Sequence, residues 1–297
     1  GGTMLYTARC KEMMTEEGLQ KAADTCKYLG IDGLICCGGD GTFRGAQALS
    51  RKGVPCIGVP GTIDNDIVCT DYTIGFDTAA NTAVECIDKL RDTMQSHERC
   101  SVVEVMGRNA GHLALYAGLA TGAVATLIPE RPFDLDRDVV DRMKATMTTG
   151  KHHFIVVAEG AGQHLLSRTT AHDASGNRVL GDIGAFLKDA IKNYFKDDPV
   201  VHPSIKYIDP SYIIRSVPAT AGDKVYCCFL GQYALHAAMA GRTGMVVAQL
   251  QGRYVHLPLE LVTKERRHIN ILSDFWRAVL ESTGQGCLKG MQPDLGK

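Results

Sequence analysis

Gly33-Leu34-Ile35-Cys36-Cys37-Gly38-Gly39-Asp40-Gly41-Thr42 carries an apolar run straight into a glycine string. The run Gly33–Cys37 has the length and composition of a buried strand, and the string opens a predicted helix, Phe43–Ser50. The same alternation continues outward in both directions. Predicted helices are Thr15–Tyr28, Asp77–Ser96, Ala110–Ala120, Asp134–Met147, Gly181–Tyr194 and Asp223–Ala240. Predicted strands are Val54–Val59, Ser101–Met106, Ala125–Ile128, His153–Ala158 and Met245–Gln249. The polar stretch Gln163–Asn177 reads as an exposed loop. Alternation of this kind implies an α/β fold, with parallel sheets covered by helices on both faces. Ligands then sit at the carboxyl ends of the strands.

The glycine string has a chemical reading. Glycines let backbone approach a phosphate closely, and the following helix N-terminus offers unpaired N–H groups and partial positive charge. Asp40 conflicts with that, because a carboxylate repels phosphates. A bridging Mg²⁺ removes the conflict, since it binds one or two carboxylates together with phosphate oxygens. A plain strand-to-helix turn with Asp40 as a cap is the alternative. NAD kinases and lipid kinases carry similar strings, so alone this one indicates a phosphate-donor site.

The next strand, Val54–Val59, leads into Pro60-Gly61-Thr62-Ile63-Asp64-Asn65-Asp66. In extended chain, residues i and i+2 point the same way, so Asp64 and Asp66 are expected to face one pocket. One carboxylate is then a base and the other reaches a metal ion or its water. An Asx-turn, in which these side chains cap nearby backbone, is the competing interpretation.

Composition narrows the partners. The chain has 297 residues, 45% of them hydrophobic, enough for one large domain or two smaller ones. A net charge of −1 with dispersed Lys and Arg excludes a nucleic-acid footprint. The apolar runs are strand-sized and none approaches a membrane span. Eleven cysteines include Cys36-Cys37 and Cys227-Cys228 but no C-x-x-C pair. Reduced, buried thiols in a cytosolic-type compartment are expected, and the ten histidines lack metal-site spacing.

Taken together, the two strings resemble the phosphofructokinase family. The resemblance continues in order through Gly2-Thr3 with Thr7-Ala8-Arg9-Cys10, Ser96-His97-Glu98-Arg99, Met106-Gly107-Arg108-Asn109-Ala110-Gly111 and Ala158-Glu159-Gly160. Lys206 to Arg215 is similar instead to the branch holding plant and kinetoplastid ATP-dependent enzymes and some pyrophosphate-dependent ones. The resemblance implies two similar Rossmann-like lobes with parallel-rich sheets. Residues 1–75 would be the remainder of the nucleotide-binding lobe and 76–215 mainly the sugar-phosphate lobe. Residues 216–297 would return to pack on both.

It also implies phosphorylation of fructose 6-phosphate at its 1-hydroxyl with Mg-ATP, in a cytoplasmic homo-oligomer, dimer or tetramer, with cross-subunit contacts. Asp64 is the implied base, with Thr62 and Arg108 at the transferring phosphoryl group. Asp40 and Asp66 would hold Mg²⁺. Arg9, Cys10, Gly39, Gly41, Thr42 and Gly45 would join Asp40 at the nucleotide. Thr62, Ile63, Asp64, Met106, Gly107, Arg108 and Glu159 would surround the sugar, with Arg99 reaching the sugar phosphate of a neighbouring subunit. Lys206, Tyr212 and Arg215 complete the expected contacts. A buried ion-pair role for Arg108, and a half-buried strand-edge position for Tyr212, are the bland alternatives.

Two glycines bear on the donor. Pyrophosphate-dependent relatives carry Asp where this chain has Gly41 and Lys where it has Gly61. Glycine at both leaves room for a nucleotide and supplies no substitute charge, which favours ATP over pyrophosphate. A pyrophosphate-dependent enzyme and a non-catalytic regulatory subunit remain the alternatives. The family's opening strand and glycine loop have no counterpart here, so about sixty more residues are expected ahead of Gly1, the order of a strand-helix-strand unit. Arg91 resembles a basic residue of the bacterial effector pocket, whereas residues 122–124 and 147–151 do not match it.

Overall fold

The computed structural model describes residues 6–8, 10–97, 99–147, 153–166, 171–172, 178–198 and 203–285. The strands are β1 (Leu34–Gly38), β2 (Cys56–Pro60), β3 (Arg99–Val105), β4 (Ala125–Leu127), β5 (His153–Ala158), β6 (Ser204–Ile208), β7 (Met245–Leu250) and β8 (Arg253–Pro258). The helices are α1 (Glu16–Tyr28), α2 (Asp40–Arg51), α3 (Phe76–Ser96), α4 (His112–Thr121), α5 (Asp141–Met147), α6 (Ile183–Tyr194), α7 (Ser211–Ile214), α8 (Ala221–Met239), α9 (Leu259–Val262) and α10 (Asp274–Thr283). They divide into two compact units. The first is Gly1–Thr78, Thr170–Val179 and Ser216–Arg267, and the second is Ala79–Thr169, Leu180–Arg215 and His268–Lys297.

The first unit is built on a four-stranded sheet of order β1-β2-β7-β8. β2 is buried along its whole length, as a central parallel strand must be. Helix α2 covers the sheet with Phe43, Ala46 and Leu49, spaced three apart on one face. Phe43 and Val246 are fully buried in that core. Helix α1 starts where Thr15 Oγ1 accepts the Gly18 N–H at 3.1 Å, an ordinary N-cap. β8 was not expected. It pairs antiparallel with β7 and lengthens the sheet by a hairpin turning at Gln251-Gly252, both at positive φ.

The second unit has the sheet order β4-β5-β3-β6, all parallel. β5 is buried at every residue, and Val102, Ile155, Val157, Met143, Ile183 and Leu187 form its core with no more than 1% exposure. The helix expected over Asp134–Met147 begins instead as a π-helical turn, Asp136–Val140, before α5. The turn contains Asp138, a fully buried carboxylate that accepts from Asp134 N at 2.9 Å and pairs with Arg131 and Arg137. A buried carboxylate needs such partners.

All described cysteines are free. Cys56 and Cys100 are buried as expected, but Cys10, Cys37, Cys69, Cys227 and Cys228 are exposed. Cys37 lies on the outward-alternating face of edge strand β1, which apolar composition alone does not distinguish from a buried one. Among the described residues no helix is long and apolar enough to cross a membrane.

Candidate active site

In the first unit the two strings meet because β1 and β2 run parallel in register. Gly38 is the partner of Pro60, and Gly61 N donates to Gly38 O at 2.9 Å. Their strands therefore end side by side, and a methyl placed on Gly39 would lie 3.5 Å from Thr62 Cβ. Gly38 must be glycine here, since a Cβ would fall on the Thr42 hydroxyl.

Helix α2 starts three residues earlier than expected, with Gly39 as its N-cap and Asp40 in its first turn. That start suits a carboxylate at the positive end of the helix dipole. Asp40 Oδ1 accepts from Arg44 Nε at 3.0 Å, one turn further along. Asp40 Oδ2 accepts from Arg266 Nη2 at 3.2 Å. The same guanidinium places Nε 3.9 Å from Asp66 Oδ2. Gly41 and Thr42 are exposed on the opening turn, Gly45 is half-buried one turn on, and Cys10 is exposed. Arg9 lies outside the described residues, as do Gly2, Thr3 and Glu98.

The carboxylate segment is not extended. Ile63-Asp64 forms a turn and Asn65 sits at φ +52, nearly fully buried. The strand-type alternation expected to aim Asp64 and Asp66 together is thus replaced by a turn. Thr62 shapes it: its hydroxyl accepts Asp64 N at 3.2 Å and its carbonyl accepts Thr73 Oγ1 at 2.5 Å. Thr62, Ile63 and Asp64 are half-buried, whereas Asp66 is buried.

Asp40 and Asp66 share one cation, so they supply hard oxygen donors around one positively charged position. That donor set fits Mg²⁺, which takes few protein carboxylates and completes its shell with water and phosphate. Among the described residues no group of three or more His, Cys, Asp or Glu could hold a metal alone.

In the second unit β3 ends at Val105 and the chain turns through Met106-Gly107-Arg108. Gly107 has φ +139 and Arg108 has φ +50, a conformation that costs a residue with a side chain about 1–3 kcal/mol. Glu159, one residue past the end of the neighbouring β5, holds this turn. Its carboxylate accepts Arg108 N at 2.8 Å and Gly107 N at 3.3 Å, and its own N–H donates to Val105 O at 2.9 Å. Glu159 thus secures the backbone that presents Arg108, a role its expected place beside the sugar did not include.

The far side of the turn has a second clamp that sequence reasoning missed. Glu130, with a side chain only 6% exposed, accepts Gly111 N at 3.1 and 3.2 Å and Ile269 N at 3.0 Å. Its contact with Ile269 spans 139 positions, so no local pattern signals it. Arg266 was missed for the same reason, being 226 positions from Asp40. A cleft of about 360 Å³ lined by Asn109, Glu130, His268 and Ile269 adjoins the clamp.

The remaining expected contacts scatter. Lys206 is exposed in β6, paired in register with Ser101 of β3. Arg215 is exposed, and Tyr212 is 86% exposed on the short helix α7, which overturns a half-buried strand-edge position. Both follow the carboxyl end of β6, the same end of the sheet as Met106–Arg108. Arg99 does not join them. It begins β3 and lies about 20 Å from Val105 at the rise of an ordinary strand. Arg91 donates to Thr121 O at 2.8 Å and so caps the last turn of α4.

A sequence model of the phosphofructokinase family matches residues 1–238. The ATP-dependent 6-phosphofructokinase of Paenibacillus macquariensis is 41% identical over 272 residues, covering 91% of this chain and 76% of that protein. Its counterpart in Halothermothrix orenii is 43% identical over 270 residues, covering 90% and 77%. The crystal structure of a pyrophosphate-dependent phosphofructokinase from Marinobacter aquaeolei superposes with a TM-score of 0.75 at 21% identity, covering 96% of this chain and 74% of that one. At that identity the likeness bears on the fold alone.

Proposed function

Because this chain belongs to the phosphofructokinase family, we propose that it transfers the γ-phosphoryl group of ATP to the 1-hydroxyl of fructose 6-phosphate, giving fructose 1,6-bisphosphate and ADP. One observation supports this most: the register of Gly38 with Pro60, which sets a phosphate-type helix opening beside a carboxylate turn. Donor glycines and an acceptor base are the two parts a phosphoryl transfer needs at adjoining strand ends.

Phosphoryl transfer passes through a loose transition state, so placement and charge matter more than covalent chemistry. The acceptor hydroxyl loses its proton late, and a weak but well-placed base such as Asp64 suffices. Thr62 holds the Asp64 backbone N–H and so orients that carboxylate's turn. Gly39, Asp40, Gly41, Thr42 and Gly45 receive the nucleotide together with Arg9 and Cys10. Asp40 and Asp66 would hold Mg²⁺, which would supply positive charge against the nucleotide phosphates. Arg108 meets the transferring phosphoryl group from its strained turn. Met106, Gly107 and Glu159 border the sugar, and Lys206, Tyr212 and Arg215 reach its phosphate end. Arg and Lys suit that phosphate as bidentate and point-charge donors. The active form is a cytoplasmic homo-oligomer in which Arg99 serves a neighbouring subunit.

Gly41 supports ATP as donor, because a Cβ built there meets nothing within 4 Å and the helix opening stays clear for a nucleotide. A coupled assay of fructose 6-phosphate phosphorylation with ATP or pyrophosphate tests the proposal. Turnover with ATP well above that with pyrophosphate is expected. Faster turnover with pyrophosphate would reverse the donor assignment, and none with either would remove the activity.

A further inference from the structure

Arg266 belongs to a segment laced to the carboxylate loop. Its backbone bridges Ile67, Arg267 N donates to Asp66 O at 2.7 Å, and Arg267 Nη1 donates to Thr70 O and Asp71 O at 2.8 and 2.7 Å. The backbone is therefore pinned while the Arg266 side chain extends toward Asp40 and Asp66. Those carboxylates are about one-tenth exposed and Arg266 one-quarter. Two partly desolvated carboxylates facing one position repel each other, and a cation between them relieves that repulsion. A guanidinium suits that position because it is permanently charged and its fork offers donors to both.

Its hold is uneven. The contact to Asp40 has hydrogen-bond length at 3.2 Å, and that to Asp66, at 3.9 Å, is an ion pair only. Arg44 occupies the other oxygen of Asp40 from a more exposed position. We propose that Arg266 is a positioning residue of the donor site. Without metal its guanidinium holds Asp40 and Asp66 in place of a divalent cation, and it gives way when metal-bound nucleotide enters. This role rests on the donor reading above.

Calorimetric titration of the purified protein with ATP, once in EDTA and once in Mg²⁺, tests it without turnover. The parent is expected to bind ATP in EDTA within about tenfold of its affinity in Mg²⁺, because Arg266 supplies charge where the metal is lacking. Arg266→Gln removes the charge that the two carboxylates share, so the ratio of the two Kd values should widen by a further tenfold or so. Arg266→Lys keeps the charge and should restore most of the parent ratio. A parent that binds ATP in Mg²⁺ but not in EDTA overturns the role of Arg266 and leaves the donor site standing. That measurement needs no variant, so it holds even where Arg266→Gln fails to fold. An unchanged ratio in a folded Arg266→Gln overturns it too. A parent that binds no ATP in either buffer removes the donor reading itself.

Discussion

Asp64 sits in a turn where its backbone N–H donates to the Thr62 hydroxyl, and the base role proposed for it is one exercised in the transition state. Asp64→Asn keeps size and removes the proposed base. It should lower kcat by about 10²–10⁴ with little change in either KM. Steady-state kinetics decide it, and a near-parental kcat takes the base role away from Asp64. Gly41 allows a cleaner test than most positions. A side chain there meets open space, and a carboxylate in the first turn of α2 complements the helix dipole. Gly41→Asp should therefore fold normally, with Tm within about 2 °C of the parent. Its carboxylate would face the nucleotide. Two charges about 4 Å apart at an effective dielectric near 20 interact by roughly 4 kcal/mol, and a third of that weakens binding about tenfold. A KM for ATP unchanged by Gly41→Asp would show that this glycine does not set donor choice.

At the scale of elements, the turn from Met106 to Gly111 depends on two carboxylates from other parts of the second unit. Glu130→Ala leaves Gly111 N and Ile269 N without their acceptor, which costs about 1–3 kcal/mol for each buried group left unpaired. Glu130→Gln keeps one carbonyl acceptor and should lose less than half as much. Urea denaturation separates them, and equal losses would mean that packing rather than acceptor count holds the turn. Glu104 in β3 gives a pH signature. Burial raises its carboxyl above the ordinary carboxylate value, although Tyr207 and Gly184 N donate to it. The folded state therefore keeps this proton to higher pH than the unfolded state does. Stability falls as pH rises through the window just above the ordinary carboxylate range. Glu104→Gln removes that slope, so its Tm advantage over the parent should be absent near pH 4 and grow toward pH 7. A pH-independent difference would contradict this. The elements themselves were legible where periodicity and turn chemistry agree, as in β5, predicted and found at His153–Ala158. The antiparallel β8 was not, because a hairpin extension of a parallel sheet depends on pairing with β7 rather than on any pattern within Arg253–Pro258. The π-helical start before α5 hid for a similar reason: only the partners of Asp138 reveal that it is buried.

Across the whole molecule, the residues readable from sequence were those carried by local strings: Gly38–Thr42, Pro60–Asp66 and Met106–Gly111. Arg266 and Glu130 reach the same strings from distant sequence, and neither has a local motif. Arg99 poses a different problem, since it was read as reaching the sugar phosphate of a neighbouring subunit and stands apart from the other expected sugar contacts of its own chain. It starts β3, while Met106–Arg108 follows that strand's end, about 20 Å on at ordinary strand rise. One hexose phosphate is too short to touch both ends of one β3. If Arg99 binds the sugar phosphate at all, it binds the one held by a second copy of the chain. Mixed oligomers test this directly. Arg99→Ala and Asp64→Asn are each expected to be nearly inactive alone, the first through a raised KM for fructose 6-phosphate and the second through kcat. A mixed dimer contains one site with Asp64 from the first variant and Arg99 from the second, and that site is intact. Random pairing in equal amounts makes half the dimers mixed, so about a quarter of parental activity should return. Recovery at that level, rising and falling with the mixing ratio, requires Arg99 to act across the subunit boundary. No recovery from variants that demonstrably exchange subunits would mean that Arg99 either serves its own chain or holds β3 against β6.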